Sequence, residues 1–505
     1  MKLTIYPLLM AGWRVWRSAL ILLGASFAWF AQPGQAAEAI GADGARHLLV
    51  RTGFAASPAE IKAFAALSRE QAADRLLQGA KTSVATPPPA WVNEPPTAYR
   101  NFQSKSAEEK MALVRQSVAQ GLELREWWFR EMLTTSSPFT EKMTLFWHNH
   151  FATSQQKVRF TPYMYQQNLL LRRHALGSFS ALLHDIARDP AMLIYLDGIT
   201  NRDRQPNENF AREVMELFTL GEGNYSEQDI KEVARAFTGW SLDRETGQFR
   251  FYRFFHDGGR KTVLGKSGKW DGDQVLDLLL EQPQAAEFIT RKLWKEFVSP
   301  TPDEAEVKRL AGIFRGSEYS ISKLMRAMLV SDAFYAPENR GSLIKSPVEF
   351  VVGTLKTFEI EPPSLRPFVI GSALLGQNVF SPPNVKGWPG GEAWINSSTL
   401  LGRRQLLDRL LRNDDRPEMA RMAMKEESAN REGDSPQGRE ARQQRQMARM
   451  LAAMRWDAQQ WLSRFEGTPQ ELERLVLAMA PSEPVTAKSV EGLRQWVMDP
   501  IYQLK

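Results

Sequence analysis

The chain has 505 residues, of which 43% are apolar and 24% charged, a composition typical of a globular protein. Cysteine is absent, which excludes disulfide bonds, a thiolate nucleophile and cysteine-ligated zinc or iron–sulfur centres. The formal net charge of +6 comes from basic residues that are interleaved with acidic ones and form no basic stripe, so nucleic acid is not an expected partner.

The N-terminal segment has the layout of an export signal. Three basic residues precede the apolar run Ala19–Phe30, which is shorter than the ~20 residues of a comfortable membrane span. Small residues follow at Gly34–Ala37 and resemble a cleavage site. The pattern predicts a signal peptide over residues 1–37, and hence a periplasmic or extracellular protein without a stable transmembrane span once the signal is removed. Retention of the segment as an N-terminal anchor is the alternative.

The rest of the chain is predicted to be mainly α-helical. A Ser or Thr followed by Pro, any residue and Glu combines an N-cap hydroxyl, a pre-set φ at the first helical position and a glutamate that reaches back to the cap. Apolar residues with helical periodicity follow each copy of this pattern. The copies are Ser57–Glu60, Thr301–Glu304, Ser346–Glu349 and Thr468–Glu471. We therefore expect a multi-helix globular body with long irregular loops.

One segment favours β-structure instead. Phe249–Phe255 is aromatic with rough alternation, and it is followed by Asp257-Gly258 and then by Lys261–Gly265. An Asp-Gly pair between two such runs is a hairpin signal. The segment predicts one small β-hairpin near residues 248–265.

Composition also predicts the domain organisation. The proline-rich stretch Lys81–Thr97 is expected to be extended and irregular. Residues 413–446 are highly charged and almost free of aromatic residues, which is typical of a disordered linker or a solvated helix. We expect a main helical domain over residues 38–412 and C-terminal helices over 447–505 that pack on it.

The stretch Asn207–Leu220 is predicted to form a helix with a dense polar face. Its apolar residues recur at helical spacing and define a buried stripe beside the polar residues. Arg212 precedes Glu216 by four residues, so the two are expected to pair. A solvated polar face with an ordinary cap is the alternative. The candidate functional groups of this helix are Glu208, Asn209, Arg212 and Glu213.

Three histidines are candidates for acid/base chemistry or metal binding. His148 and His150 lie between large aromatic residues, and His256 lies near the predicted hairpin. Residues two apart on an α-helix point to nearly opposite sides, so His148 and His150 share one metal only if the helix ends there. With Glu213 they form a tentative ligand set for a divalent metal such as Mg, Mn, Fe or Zn. A buried histidine bonded to backbone is the alternative.

The loop at residues 381–396 is rich in glycine and proline, which predicts an irregular backbone. Its flat aromatic faces and amide groups suit a sugar ring or a polymer. A loop held on the core by its tryptophans is the alternative. The candidate substrate-binding residues of this loop are Asn384, Lys386, Trp388 and Trp394.

Six long sequence blocks lie between His47 and Gly391. They are HLLVRTGF at 47–54, FWHNHF at 146–151, NENFAREVMELFTLGEGNYSEQDI at 207–230, ARAFTGW at 234–240, HDGGRKTVLG at 256–265 and PPNVKGWPGG at 382–391. Together they resemble the family catalogued as domain of unknown function 1800. The resemblance covers roughly His47 to Arg404. It implies an exported bacterial protein with no established activity, and it assigns no catalytic residue. Genes of this family are often found beside an exported alkaline-phosphatase or sulfatase-like protein, which implies such a partner.

Two functions fit these features. The first is a metal-assisted or acid/base enzyme acting on an envelope or extracellular polymer such as a glycan, with Asn209 and Arg212 as orienting groups. The second is a non-catalytic periplasmic or extracellular binding or assembly partner, in which the polar helix is structural and Trp388 and Trp394 carry the contact. The first hypothesis requires the histidines and glutamates to converge on an accessible pocket. The second hypothesis does not, so their placement in the structure separates the two. Its candidate catalytic residues are His148, His150, Glu208, Glu213 and His256.

Overall fold

Helices dominate the structure, as the recurrent helix-start pattern predicts. A computed structural model of the chain describes residues 38–96, 102–411, 456–485 and 489–505. The predicted signal peptide and the charged segment 413–446 lie outside these residues. The described part of Ala39–Lys505 contains 22 α-helices and two two-stranded sheets, which confirms a mainly α fold with a small β component. None of the described helices is both long and apolar enough to cross a membrane.

The first half of the chain contributes eleven α-helices. They are α1 Gly41–Thr52, α2 Pro58–Ala65, α3 Arg69–Gln78, α4 Ala107–Thr134, α5 Pro138–His150, α6 Gln155–Val158, α7 Thr161–Arg173, α8 Phe179–Ala187, α9 Pro190–Tyr195, α10 Glu208–Glu213 and α11 Glu227–Ala236. A π-helix, Val214–Thr219, directly continues α10.

The second half contributes eleven more in the described ranges. They are α12 Gly272–Leu280, α13 Pro283–Phe297, α14 Glu304–Gly316, α15 Ile321–Leu329, α16 Asp332–Tyr335, α17 Pro347–Thr357, α18 Arg366–Leu374, α19 Ser397–Leu411, α20 Ala458–Arg464, α21 Pro469–Val476 and α22 Val490–Met498. The C-terminal helices pack on the rest, since α22 contacts α19 and α21 contacts α1.

Three of the four predicted helix starts have the expected cap. Ser57, Ser346 and Thr468 each accept from the N3 backbone amide, and the N3 glutamate accepts from the cap amide. The fourth differs, because α14 begins at Glu304 and Asp303 caps it through the amides of Ala305 and Glu306. An aspartate two residues after the threonine supplies the acceptor itself, so the helix begins later than predicted.

The β-structure consists of two hairpins where the sequence predicts one. Strands β1 (Trp240–Leu242) and β2 (Phe249–Phe251) pair antiparallel, with Trp240 opposite Phe251. Strands β3 (Lys261–Val263) and β4 (Lys266–Gly268) form the second pair. The aromatic strand therefore pairs with residues that precede it, and Asp257-Gly258 is not a hairpin turn. The side chain of Asp257 bonds Arg235 and the amide of Gly259 instead.

The proline-rich segment is irregular, as predicted, but it is fixed to α4. The buried carboxylate of Glu131 accepts the backbone amides of Ala85 and Thr86 at 3.0 and 2.7 Å. The indole of Trp91 donates to Glu123 at 2.7 Å. Residues 81–96 therefore belong to the helical body.

Two buried ionic networks join distant parts of the core. Arg172 of α7 binds Glu141 of α5 through Nε at 2.7 Å and Nη2 at 2.9 Å, and the indole of Trp128 donates to the same carboxylate at 2.8 Å. In the second network, Lys142 and Lys505 both contact Glu296 and Glu349. Burial raises the pKa of Glu296, but the two ammonium groups outweigh it and bring this pKa down to about 2.

Removal of the Arg172 guanidinium leaves the Glu141 charge buried without its partner. We expect Arg172→Ala to lower the free energy of unfolding by about 3–5 kcal/mol, measured by urea denaturation. The exposed pair Arg366–Glu126 at 2.7 Å is the control, and Arg366→Ala is expected to cost about 0–1 kcal/mol. Equal losses in the two variants would contradict the prediction.

Candidate functional site

The histidines of FWHNHF lie in the core. His148 is buried on α5 against the rings of Trp128, Phe380 and Trp388. Its Nε2 accepts the backbone N–H of Phe380 at 2.9 Å, which places the ring proton on Nδ1. Burial lowers the pKa of His148 to about 3, and the nearby Arg125 guanidinium adds to this shift. The imidazole is therefore neutral and holds a loop.

His150 is equally buried and has different neighbours. Its Nε2 lies 3.1 Å from the backbone oxygen of Phe218, and the rings of Phe146, Trp147 and Phe151 surround it. Burial holds the pKa of His150 well below its ordinary value, the charge of Lys292 lowers it further, and the Phe218 bond opposes the shift. The two histidines thus bind backbone at different places, which corresponds to the alternative of buried histidines bonded to backbone.

Asn149, between the two histidines, fixes the glycine-rich loop to α5. Its Oδ1 accepts the backbone N–H of Trp388 at 2.7 Å, and its Nδ2 donates to the Trp388 carbonyl at 3.3 Å. Gly387 has φ +80°, and a Cβ there would lie 2.2 Å from Asn149 Oδ1. We call this contact between Asn149 and Gly387-Trp388 the loop anchor. Only glycine fits beside the asparagine, so the two sequence motifs form one structural unit.

The loop anchor places Lys386 beside the acidic helix. The Lys386 ammonium lies 3.8 Å from Glu216 Oε1 and 3.5 Å from Glu222 Oε1. Asn384 is exposed and its side chain accepts the amide of Lys386 at 2.9 Å, which shapes the turn. Two blocks that are far apart in sequence therefore meet at their charged residues.

The tryptophans of this loop serve packing. Trp388 is 4% exposed and Trp394 is 7% exposed, so neither ring offers a free face to a sugar. This burial corresponds to the alternative, a loop held on the core by its tryptophans, and it does not support the substrate-binding role predicted for the two rings.

The acidic helix changes form where its carboxylates lie. After α10 the backbone continues as the π-helix Val214–Thr219, and the amide of Leu220 donates to the Met215 carbonyl at 2.9 Å. The hydroxyl of Thr219 donates to the Val214 carbonyl. A π-helix turns less per residue than an α-helix, and π-turns within helices occur frequently at functional sites. The direction of Glu216 therefore differs from the one that α-helical spacing predicts.

Five polar residues form what we call the carboxylate cluster: Glu213, Glu216, Glu222, Tyr225 and Lys386. Tyr225 donates its hydroxyl to Glu216 Oε2 at 2.9 Å. Glu213 is half-buried, and its pKa is raised by burial and by the neighbouring charge of Glu216, against the opposing charges of Lys386 and Arg212. Burial and the bond to Glu216 raise the pKa of Tyr225 as well. The cluster therefore holds a carboxyl group with a raised pKa, Glu213, beside a second carboxyl group, Glu216.

Arg212 does not pair with Glu216, contrary to the prediction from spacing. Its two Nη atoms donate to both oxygens of Glu227, each at 2.8 Å, and Nη2 also lies 3.4 Å from Glu208. Asn209 donates from Nδ2 to Asp197 at 3.2 Å. Arg212 and Asn209 thus tie the start of α10 to α11 and to the segment after α9.

His256 lies at the β1–β2 hairpin. Its Nδ1 is 2.9 Å from the Thr238 carbonyl, and its ring contacts the edge of Phe251. Across the described ranges, no group of three or more His, Asp or Glu side chains has the arrangement needed to hold a metal ion. His148, His150 and Glu213 are therefore not brought together as ligands, and metal use stays a prediction.

The sequence reasoning missed two features of the site. Tyr225 is the hydroxyl partner of Glu216, and the sequence signal for it was its place in the turn between the two polar helices. Lys386 was predicted, but as part of a sugar-binding loop. Its contact with the acidic helix depends on the loop anchor, which no local pattern reveals.

The fold and site define a mainly helical protein in which a His-Asn-His helix end holds a glycine-rich loop beside a π-helix that carries carboxylates. The chain belongs to the family described as "Protein of unknown function (DUF1800)", whose profile matches residues 47–504. Neither a curated protein nor a solved structure matches the chain.

Gly387→Ala tests the loop anchor. The new Cβ would meet Asn149, whereas Gly265 in the β3–β4 turn has a similar φ of +79° and no atom within 4 Å of the position that a Cβ would take. Both alanines carry the strain of a positive φ, about 1–2 kcal/mol, and only Gly387→Ala adds a clash. We expect Gly387→Ala to lower the melting temperature clearly more than Gly265→Ala, measured by calorimetry. Equal decreases would show that the anchor contributes nothing.

Proposed function

We propose that this protein is an exported acid/base enzyme that cleaves an envelope or extracellular polymer, with its chemistry in the carboxylate cluster. The observation that carries the proposal is the half-buried Glu213, whose raised pKa is caused by burial and by Glu216 beside it. Pairs of carboxyl groups with different environments are a recurrent means of supplying an acid and a base in one site. Export comes from the N-terminal pattern and the resemblance. The polymer substrate comes from that compartment and from the composition of the loop at residues 381–396.

Glu213 is assigned the role of general acid. A carboxyl group whose pKa is raised keeps its proton closer to neutral pH, so it can protonate the leaving oxygen of a scissile bond. Burial is the largest cause of the shift, and the charge of Glu216 adds to it. The positive charge of Lys386 opposes the rise in the pKa of Glu213. The carboxyl group can therefore still give up its proton.

Glu216 is assigned the role of base or charge-stabilising carboxylate. The hydroxyl of Tyr225 donates to it at 2.9 Å and the Lys386 ammonium lies 3.8 Å away. These two contacts orient the carboxylate of Glu216. In this role Glu216 would activate a water molecule or stabilise developing positive charge while Glu213 donates a proton.

The proposal gives no chemical role to the histidines of FWHNHF. His148 and His150 each bind backbone in the core, and the loop anchor between them positions Lys386. Their contribution is to hold the carboxylate cluster in place, which is a positioning role.

Neutral amide substitutions test the two carboxylates. We expect Glu213→Gln and Glu216→Gln each to reduce the release of soluble fragments from dye-labelled peptidoglycan or polysaccharides by about 10²–10⁴-fold, because each removes one partner of the acid/base pair. Glu304→Gln is the control, because Glu304 is an exposed carboxylate that pairs with Arg291 outside the cluster. We expect it to change the rate less than about threefold. Full activity of Glu213→Gln would exclude the proposed chemistry.

The pH dependence gives a second test of Glu213. The acid works only when protonated, so the rate is expected to fall as pH rises through its raised pKa.

The raised pKa of Glu213 also makes the free energy of unfolding depend on pH. A carboxyl with a raised folded-state pKa contributes stability below its ordinary pKa and loses it as pH rises. We therefore expect Glu213→Gln to raise the melting temperature at pH 7 and to have little effect near pH 4. A destabilised variant at pH 7 would contradict the assignment.

A second candidate is a non-catalytic binding or assembly partner of an exported alkaline-phosphatase or sulfatase-like protein. It is favoured by the core placement of His148 and His150, whose Nε2 atoms lie within hydrogen-bond distance of backbone groups. Purified protein that binds a polymer or such a partner without cleaving anything would support this function over the enzymatic one.

A further inference from the structure

A polar cleft of about 380 Å³ opens beside the β1–β2 hairpin. Its walls come from the hairpin, from the segment before α10 and from the short 3₁₀ helix Arg253–Phe255. The lining residues that matter for binding are Asn201, Arg202, Asp243, Arg244, Arg250 and Phe255. None of the residues assigned to catalysis lines this cleft.

Two of the arginines are held by aromatic rings. The guanidinium carbon of Arg202 lies 4.5 Å above the ring of Phe255, and that of Arg250 lies 5.0 Å above the ring of Tyr252. The amide of Asp203 donates to the Phe255 carbonyl at 2.9 Å, which fixes the Arg202 segment against that ring. Arginine stacked on a ring face keeps its N–H groups in the plane of the guanidinium, available for two-point bonding to an anion.

One of the two acidic side chains in the cleft lining, Asp243, is engaged in hydrogen bonds. Asp243 Oδ1 accepts the amides of Glu245 and Thr246, each at 2.9 Å, and Oδ2 accepts from Arg250 at 2.7 Å. These bonds hold the pKa of Asp243 far below its ordinary value. The carboxylate therefore stays ionised at physiological pH and remains bonded to the turn and to Arg250. The cleft lining contains three arginines against Asp243 and Glu245, an excess of one positive charge (3 − 2 = 1).

An exposed aromatic surface continues out of the cleft. Phe254 is 90% exposed, and its ring centroid lies 5.5 Å from that of Phe255 on the cleft wall. Phe251 on β2 is 43% exposed. A ring this exposed offers a face for stacking against an apolar ring face of a ligand. Because Phe254 lies outside the cleft, it would touch only a ligand that extends beyond it.

We propose that this cleft binds a segment of an anionic polysaccharide, with its acidic groups on Arg202 and Arg244 and a neighbouring sugar ring on Phe254. The inference rests on the proposed function, because it names the class of polymer that the enzyme would take. A cleft lined with arginines and continued by Phe254 suits a polymer chain, because one chain can place acidic groups in the cleft and a further sugar ring on the exposed aromatic face. Carboxylated and sulfated polysaccharides share this chemistry.

The test is calorimetric binding of oligosaccharide hexamers to the full protein. The probes are an oligogalacturonate, a sulfated oligosaccharide and neutral cellohexaose. We expect at least one anionic hexamer to bind about tenfold or more tightly than the neutral one, with affinity falling as salt increases. Tighter binding of the oligogalacturonate would identify carboxylate as the preferred acidic group, and tighter binding of the sulfated oligosaccharide would identify sulfate. Equal binding of the neutral and anionic hexamers would overturn the inference.

Variants locate the binding. Arg202→Gln combined with Arg244→Gln is expected to weaken the anionic hexamer about 10–100-fold, since two charge-assisted contacts are lost. Phe254→Ala is expected to weaken the hexamer about 3–10-fold and to leave a disaccharide unchanged. Arg464→Gln and Leu401→Ala are matched controls, because both residues are exposed and lie outside the cleft lining. Loss of affinity in the controls, or none in the cleft variants, would refute the assignment.

Two further measurements separate the inference from its alternatives. Glu213→Gln is expected to bind the anionic hexamer with unchanged affinity, because Glu213 does not line the cleft. If the wild-type protein binds the hexamer but cleaves no polymer, the enzyme proposal is overturned and the binding inference stands. If the protein cleaves a neutral polymer and Arg202→Gln does not change that rate, the enzyme proposal stands and the binding inference is overturned. Sedimentation with phosphatidylglycerol vesicles that depends on Phe254, without oligosaccharide binding, would replace the polysaccharide with a membrane surface.

Discussion

The backbone contact between Asn149 and Gly387-Trp388 is the constraint on which the candidate site depends. One carboxamide satisfies both the N–H and the C=O of Trp388, and the absence of a side chain at Gly387 allows the approach. Next to it, His148 accepts the amide of Phe380, a non-glycine residue with φ +62°. Buried polar groups that bind strained backbone fix a loop more firmly than surface contacts can. The loop is therefore held as part of the core, and Lys386 lies where the anchor directs it.

The carboxylate cluster combines this anchored loop with an altered helix. A π-turn is less favourable than continued α-helix, so its presence at Val214–Thr219 indicates that packing on both sides specifies it. Val214 and Phe218 are buried, while Glu213 and Glu216 lie at the boundary with solvent. Partial burial removes water from the ionised carboxylate of Glu213, so its charged form is less stable than that of an exposed glutamate. A carboxyl group in such a position weakens the folded state at neutral pH, which is typical of residues retained for function.

Local sequence rules account for much of the fold and for little of the site. Proline-glutamate caps and apolar periodicity are local signals, and they correctly give a mainly helical body. The second hairpin was missed because its turn has Leu264 at φ +48° followed by Gly265, where the usual signal is Asn-Gly. The roles of His148 and Asn149 were missed for another reason. Both bind backbone more than 200 residues away, and spacing along one helix carries no information about such partners.

A buried asparagine, Asn201, connects the cleft to the start of α10. Asn201 lines the cleft, donates from Nδ2 to the Ala234 carbonyl at 2.9 Å and accepts the amide of Asn207 on Oδ1 at 2.8 Å. Asn207 caps α10, which ends at Glu213 and continues into the π-helix that carries Glu216. Because Asn201 is 3% exposed and bonded on both sides, it holds the cleft wall and the start of α10 in fixed relation. A ligand in the cleft would thus occupy a fixed position relative to the helix that carries the two carboxyl groups, although neither of them lines the cleft itself.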